Sequence, residues 1–257
     1  MNVTLLRAPG SPVLRVGHRG ARGHAPENTF ASFKRGLELG ASVVETDVHI
    51  SRDGEVVVIH DHTVDRTTNG KGYVKDMTVA ELKQLDAGAW FDAAFDAAFD
   101  AAGTYAGERI PTLAELLEWA KPRVPLAIEI KNGPLYYPGL AAKVIGLLRQ
   151  HDMLKQAILI SFDHFVLREA RIIDPEVTTG ILYAGRLVDP IHAAREAGAA
   201  ALHPQWAYVT PDLVEVAHAA GLAVSPWCPN DVETLRWLDQ MGVDSIGTDY
   251  PDLFDKM

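Results

Sequence analysis

Cysteine is nearly absent from this chain: Cys228 is the one thiol. A single cysteine excludes an internal disulfide and any cysteine-rich zinc site. It fits a reducing compartment, so a cytoplasmic location is expected. Long apolar runs are missing too. Nothing approaches the about 18 consecutive apolar residues of a membrane span, and Met1 to Gly10 lacks the basic start and apolar core of a signal peptide. Positive charge is in short supply, with 24 Lys and Arg against 34 Asp and Glu and a formal net charge of −10. That argues against a nucleic-acid-binding surface, and no basic stretch suggests a stable membrane association. It does not forbid an anionic substrate, because a bound cation inverts the local field.

What remains is an ordinary globular composition, 47% apolar and 23% charged over 257 residues. Such a chain can bury a sizeable core without staples, and about 250 residues make one (β/α)8 barrel. Apolar, β-branched runs recur at Val13–His18, Val43–Val48, Val56–His60, Pro125–Ile130, Ala157–Ser161, Thr178–Leu182, Ala200–His203, Ala223–Trp227 and Ser245–Thr248. Between most of them lie amphipathic segments: Phe30–Leu39, Leu113–Ala120, Leu140–Gln150, Phe165–Ile173, Val188–Glu196, Pro211–Ala220 and Val232–Met241. Alternation of this kind over a whole chain means βαβ units and a parallel sheet. One strand differs in kind. The Asp53-Gly54 connection is far too short for a parallel crossover and is a strong hairpin signal, so Val56–His60 runs back antiparallel. Eight parallel strands are left, the number that closes a TIM barrel. The open doubly wound sheet is the alternative, but no Gly-rich dinucleotide turn supports it. One catalytic domain over residues 1–257 is expected, with an insertion at about 63–111 that holds one helical pattern, Val79–Leu85, and partly covers the site. Inside it, the Phe-Asp-Ala-Ala repeat from Phe91 to Ala102 places Phe on one side of a helix and Asp on the next. It reads as a surface helix anchored by Phe, with partner or lipid contact the alternative.

Barrel enzymes place their sites at the C-terminal ends of the strands. There the first strand offers His18 and Arg19, and the second offers Glu45 and Asp47. The hairpin returns His60 and Asp61, and the Pro125–Ile130 strand offers Glu129 and Lys131. Glu45 and Asp47 are two apart and share a face, and Glu129 points inward if Ile128 and Ile130 pack outward. Three convergent carboxylates repel one another. A hard cation held by oxygen ligands, Mg²⁺ or Ca²⁺, resolves the repulsion, and a buried ion-pair network with Arg19 and Lys131 is the alternative. His18 and His60 can divide base and acid roles near neutral pH. Arg19, through its fork, and Lys131, as a point charge, suit phosphoryl oxygens. Trp227 reads as a pocket wall and Cys228 as an inert neighbour. Asp249 reads as a cap near the last helix or a hydrogen-bond partner of Arg19. Asp61 either orients a histidine or stands behind the metal. His24, His49, His62 and His203 are read as solvated or packing residues, with lining the mouth the alternative.

Gly17-His18-Arg19-Gly20-Ala21, Ala25-Pro26-Glu27-Asn28-Thr29, Glu45-Thr46-Asp47-Val48, Ile59-His60-Asp61 and Glu129-Ile130-Lys131 occur in this order. The set closely resembles the glycerophosphodiester phosphodiesterase family, from about Val13 to Phe254. The resemblance implies a TIM barrel that hydrolyses glycerophosphodiesters to glycerol 3-phosphate and an alcohol. It implies one divalent cation, Mg²⁺ or Ca²⁺, on Glu45, Asp47 and Glu129, an acid/base pair in His18 and His60, and phosphate binding by Arg19 and Lys131. Glu27 and Asn28 support the first loop, Trp227 lines the glycerol end, and the insertion is the family's own, locally expanded by the repeat. His18 is the preferred base and His60 the acid, with water or a substrate hydroxyl as nucleophile. The expected partner is a small-molecule diester, not nucleic acid, and the expected state is a monomer or homodimer. Two other readings stay open: a phospholipase-type phosphodiesterase on a related lipid headgroup, and a non-catalytic protein that binds a phosphorylated ligand.

Overall fold

The computed structural model describes residues 6–8, 10–94 and 104–257. Eight parallel strands form the barrel: β1 (Leu14–Gly17), β2 (Val43–Ile50), β4 (Leu126–Ile130), β5 (Ala157–Ser161), β6 (Thr178–Tyr183), β7 (Ala201–Pro204), β8 (Ala223–Val224) and β9 (Ser245–Thr248). Around the sheet the order is β8, β7, β6, β5, β4, β2, β1, β9. The gap between β8 and β9 is bridged by backbone hydrogen bonds from Asp244 to Val224 at 2.9 Å and from Gly247 to Pro226 at 3.0 Å, so the barrel is nearly closed. The remaining strand, β3 (Val56–Val58), pairs antiparallel with β2, with Val48 opposite Val58. This is the expected TIM barrel with a hairpin extension.

The two-residue period of the strands sorts side chains between two cores. On β2 and β4, Val44, Val48, Leu126, Ile128 and Ile130 join the large outer core under the helices. Val43 and Ala127 face inward with Val16, Ile158 and Leu182. Glu45, Asp47 and Glu129 are in phase with that inner set. Outside the sheet lie α1 (Phe30–Glu38), α4 (Leu113–Ala120), α5 (Leu140–Gln150), α6 (His164–Ile173), α7 (Pro190–Ala197), α8 (Pro211–Ala219) and α9 (Val232–Gln240). Side-chain caps start most of them: Thr29, Asp163, Thr210 and Asp231 accept from first-turn N–H groups, and Thr112 forms a full capping box with Glu115. Each cap satisfies an orphan donor and stabilises its helix by about 1 kcal/mol.

Boundaries shift where local chemistry decides them. The helix read from Val188 starts at Pro190, because Asp189 caps it and Pro occupies the first position. The strand read as Ala223–Trp227 stops at Val224, because Pro226 has no N–H for the ladder; pairing resumes as an isolated bridge between Gln205 and Trp227. His60 has left the sheet, where Val56–His60 was read as one strand. In the insertion, α2 (Val79–Leu82) is one turn, and Gln84 and Leu85 continue it with tighter bonds three residues back. There α3 (Ala89–Ala94) holds the start of the Phe-Asp-Ala-Ala repeat, with Phe91 buried edge-on to Trp90 and Tyr105. Phe95 and Phe99 lie outside the described residues. A small separate core of Val57, Ile59, Val64, Val74, Leu82 and Ile110 ties the insertion to the hairpin. No helix among the described residues is long and apolar enough to cross a membrane.

Candidate active site

The site occupies the mouth where β1, β2, β4 and β9 end. Strand register alone brings its acidic members together, since Asp47 on β2 stands opposite Glu129 on β4. Oxygens of Glu45, Asp47 and Glu129 lie within 4.8 Å of one another, and all three side chains are buried. Burial, then the Asp47 charge, pushes the Glu45 carboxyl well above the usual range, and burial pushes Glu129 up to about 7. Asp47 goes the other way. Against the cost of burial, Lys131 and Arg19 hold it well below the usual range.

The ion-pair network weighed from sequence is present. Lys131 Nζ lies 2.7 Å from Glu129 Oε1 and 3.0 Å from Asp47 Oδ1. Arg19 Nε lies 3.3 Å from Asp47 Oδ2, and the Arg19 backbone N–H donates to Glu45 Oε2 at 2.8 Å. Two cations thus serve three carboxylates, and Asp47 meets both of them. Asp47 Oδ1, fully buried, has no aligned hydrogen-bond donor. Oxygen-only donors and residual like-charge repulsion are what a hard divalent cation would satisfy. The three carboxylates fit that group.

Both histidines border the same cavity, which also meets Arg19, Glu129 and Lys131. His18 Nδ1 lies 2.6 Å from Asp249 Oδ1, and His60 Nδ1 lies 2.6 Å from Asp61 Oδ1. A carboxylate on one ring nitrogen fixes the tautomer and leaves Nε2 for proton exchange. His18 Nε2 points toward the acidic group, 3.9 Å from Glu45 Oε2. Burial, then Arg19, lowers the His18 pKa, so its ring is neutral near pH 7. The bonds from His60 and Arg66 pull Asp61 well below the usual carboxylate range.

Asp249 requires a correction. It neither caps the last helix nor bonds Arg19; it holds His18. The reason is register: Gly17 on β1 stands beside Thr248 on β9, so the residues that follow each are neighbours. Asp249 also accepts from Asn230 Nδ2 at 2.8 Å. Cys228 sits beside this pair, its Sγ 3.4 Å from both His18 Nδ1 and Asp249 Oδ1. Burial pushes its thiol well above the ordinary range, which keeps it protonated and inert. Asp61 orients a histidine, one of the two readings made for it. Trp227 borders the cavity and donates from Nε1 to the His203 carbonyl at 2.9 Å.

The other histidines separate. His24 bonds Asp252, His62 bonds the Gly133 carbonyl, and His49 is buried with Nε2 3.0 Å from the His60 carbonyl. His203 is buried and borders the same cavity as His18 and His60. Arg66 escaped the sequence reading altogether. It donates twice to Glu27 and also to Asp61, at 2.8 Å for the shortest contact to each. Glu27 in turn accepts from Arg19 Nη1 at 2.7 Å. Asn28 Nδ2 donates to Asp47 Oδ2 at 2.8 Å, so both first-loop residues support the site.

Residues 18–253 match the model of the glycerophosphoryl diester phosphodiesterase family. A glycerophosphodiester phosphodiesterase of Caldanaerobacter subterraneus is 42% identical over 240 residues, 93% of this chain and 95% of that protein. The one from Bacillus subtilis is 34% identical over 255 residues, 95% of this chain and 86% of that protein. Among solved structures, an Oleispira antarctica phosphodiesterase in complex with the product sn-glycerol-3-phosphate superposes with a TM-score of 0.82 at 32% identity, covering 94% of each chain. A glycerophosphodiester phosphodiesterase from Agrobacterium tumefaciens gives 0.80 at 34% identity, covering 94% of this chain and 98% of that one. With the model running through the barrel from His18 to beyond β9, and relatives above 30% identical across nearly all of it, this chain belongs to the glycerophosphoryl diester phosphodiesterase family.

Proposed function

We propose that this chain hydrolyses glycerophosphodiesters to sn-glycerol 3-phosphate and an alcohol, using a divalent cation and a two-histidine acid/base pair. Family membership and the product complex of the Oleispira antarctica relative support the substrate class. One observation carries the mechanism: two imidazoles, each with Nδ1 tied to a carboxylate at 2.6 Å, border one cavity around three buried carboxylates.

Glu45, Asp47 and Glu129 would hold the cation, Mg²⁺ or Ca²⁺ by the hardness of its ligands. Bound there, it supplies Lewis-acid stabilisation of charge developing on the phosphoryl oxygens. Arg19 and Lys131 steer the phosphodiester into the mouth and neutralise its oxygens. His18, neutral and tied through Nδ1, takes at Nε2 the proton of the attacking oxygen, that of water or of the substrate's own hydroxyl, as this oxygen bonds to phosphorus; on the second route water then opens the cyclic phosphate. The phosphorus–oxygen bond to the leaving alcohol breaks, and protonated His60 gives its Nε2 proton to the departing oxygen. Trp227 walls the organic part of the substrate.

The test is glycerol 3-phosphate release from a panel of soluble glycerophosphodiesters in Mg²⁺, in Ca²⁺ and in EDTA. Release that EDTA abolishes and either cation restores is expected. His18→Ala and His60→Ala each lose at least about 100-fold in rate with the fold intact. Undiminished release in EDTA would remove the cation from the mechanism, near-native turnover of either alanine variant would remove that histidine, and release only from vesicle-bound phospholipid would replace the substrate class.

A further inference from the structure

The cavity of the candidate site does not end at the carboxylates. Leu14 and Val16 on β1, and His18 just beyond it, all border it, so it runs the length of the barrel as a shaft of about 430 Å³. The lumen stays open because the strands turn small residues inward there, among them Ala127, Ala201, Ala223 and Gly247. Ile160, Leu182 and Trp227 make the upper wall apolar.

His203 stands in that wall. In the ring of eight strands β7 is four places from β2, so His203 faces the side that carries Glu45 and Asp47. Its Nε2 is buried without a hydrogen-bond partner, and no described residue bonds the other ring nitrogen either. Burial alone lowers its pKa to about 4, so the ring is neutral. Gly180 makes room for it, since a Cβ there would come within 2.5 Å of His203 Nε2. The His203 carbonyl meanwhile holds the Trp227 indole. A buried imidazole with no partner is costly to keep. Nε2 is sealed against Gly180, so the ring meets the shaft through its other edge, where a ligand atom is the partner it lacks.

A neutral imidazole offers one donor and one acceptor, the complement of a hydroxyl. The residues beside it on β6 and β7, Gly180, Leu182 and Ala201, carry no charge, so an ionised headgroup held against them would be desolvated without an adjacent counter-ion. We propose that His203 and the lumen around it form a subsite for an uncharged, hydroxyl-bearing part of the diester, with the imidazole hydrogen-bonded to a carbon-bound hydroxyl. This rests on the function proposed above. The hydroxyl comes either from the glycerol that every such substrate carries or from the leaving alcohol.

The experiment compares wild type with His203→Leu on glycerophosphocholine, glycerophosphoethanolamine and glycerophosphoglycerol, with KM, kcat and Tm measured for each protein. The variant is expected to raise KM and lower kcat/KM by roughly 5- to 100-fold. Tm should stay level or rise, because an unpartnered polar ring has been removed. An equal loss on all three substrates assigns the hydroxyl to glycerol, and a loss confined to glycerophosphoglycerol assigns it to the leaving alcohol. Kinetics unchanged within about twofold on every substrate, below the loss of one hydrogen bond, overturn the subsite while leaving the proposed function intact. A fall in Tm with KM unmoved also overturns it, since His203 is then a packing residue. No turnover by the wild type overturns both. If the leucine variant does not fold, Gly180→Ala carries the same test, because its Cβ displaces the imidazole: raised KM supports the subsite and unchanged KM overturns it.

Discussion

An imidazole that exchanges protons must keep one nitrogen free and its tautomer fixed, and the carboxylate behind it does both. Asp249 does this for His18. Against the cost of its own burial, the bond from His18 holds it well below the usual carboxylate range, so it stays ionised. Asp249→Asn keeps the size but replaces the acceptor with an amide that can present its donor instead. The expected result is a fall in kcat of roughly 10- to 100-fold, with KM changed far less and the far-ultraviolet circular dichroism of the wild type. Steady-state kinetics at pH 7 check it, and a kcat within about twofold of wild type would take Asp249 out of the positioning role. The two histidine partners also show what a sequence can disclose. Asp61 adjoins His60 in the chain, so their pairing is legible by eye. Asp249 lies 231 residues from His18, and only closure of β9 onto β1 brings them together. The three carboxylates were legible because a two-residue period assigns faces without any knowledge of neighbours. Arg66 was not, because nothing in an irregular insertion says where a side chain will reach.

At the level of elements, the β1–α1 loop does the most with the least chain. Arg19, at φ 51°, and Asn28, at φ 59°, both take left-handed backbone without being glycine. The distortion turns the Arg19 N–H onto Glu45 and the Asn28 amide onto Asp47. Gly20, at φ 90°, lets the loop lie on α1, where a Cβ would meet the Ser32 carbonyl carbon and Oγ at 2.5 Å. Ser32 in turn bonds the loop at two points, donating from Oγ to the Arg19 carbonyl and accepting from the Ala21 N–H. Gly20→Ala therefore faces unfavourable backbone and a collision with main chain that cannot rotate away. A loss of about 2 kcal/mol or more in unfolding free energy is expected, along with lower activity, because the loop carries His18 and Arg19. Urea denaturation checks it as a lower midpoint at unchanged slope, and a midpoint equal to wild type would show that the loop has slack. A Gly beside His-Arg was visible in the sequence, but the helix it packs against was not. The hairpin is the opposite case: Asp53-Gly54 announced it, and Gly54 takes the positive φ, 86°, that such a turn needs.

Across the whole molecule, acidic residues outnumber basic ones, and the fold places its buried Arg19 and the more exposed Arg66 where acids cluster. Glu27 is the hub. It is 5% exposed and lies between Arg19 and Arg66, joining the β1–α1 loop to the insertion. Against the cost of burial, bonds from Arg66 and the Arg19 charge lower its carboxyl from 4.5 to about 2. A carboxyl whose pKa is lower in the folded chain than in the unfolded one stabilises the fold most above the unfolded value. That stabilisation fades as the pH drops toward the folded value, because the unfolded chain takes up the proton first. For Glu27 the window runs from about pH 5 down to about pH 2, and about 2 kcal/mol of its contribution disappears between pH 5 and pH 3. Glu27→Gln carries no such titration. The variant should be clearly less stable than wild type at pH 6, because Arg19 loses its buried carboxylate, and the gap between the two should narrow by about 2 kcal/mol at pH 3. Urea unfolding of both proteins at pH 6, 5, 4 and 3 reads this difference directly, with the other carboxyls common to both chains largely cancelling. A gap that stays constant across the series would mean that Glu27 titrates alike in the folded and unfolded chains, and that the arginines around it do not form the joint between barrel and insertion.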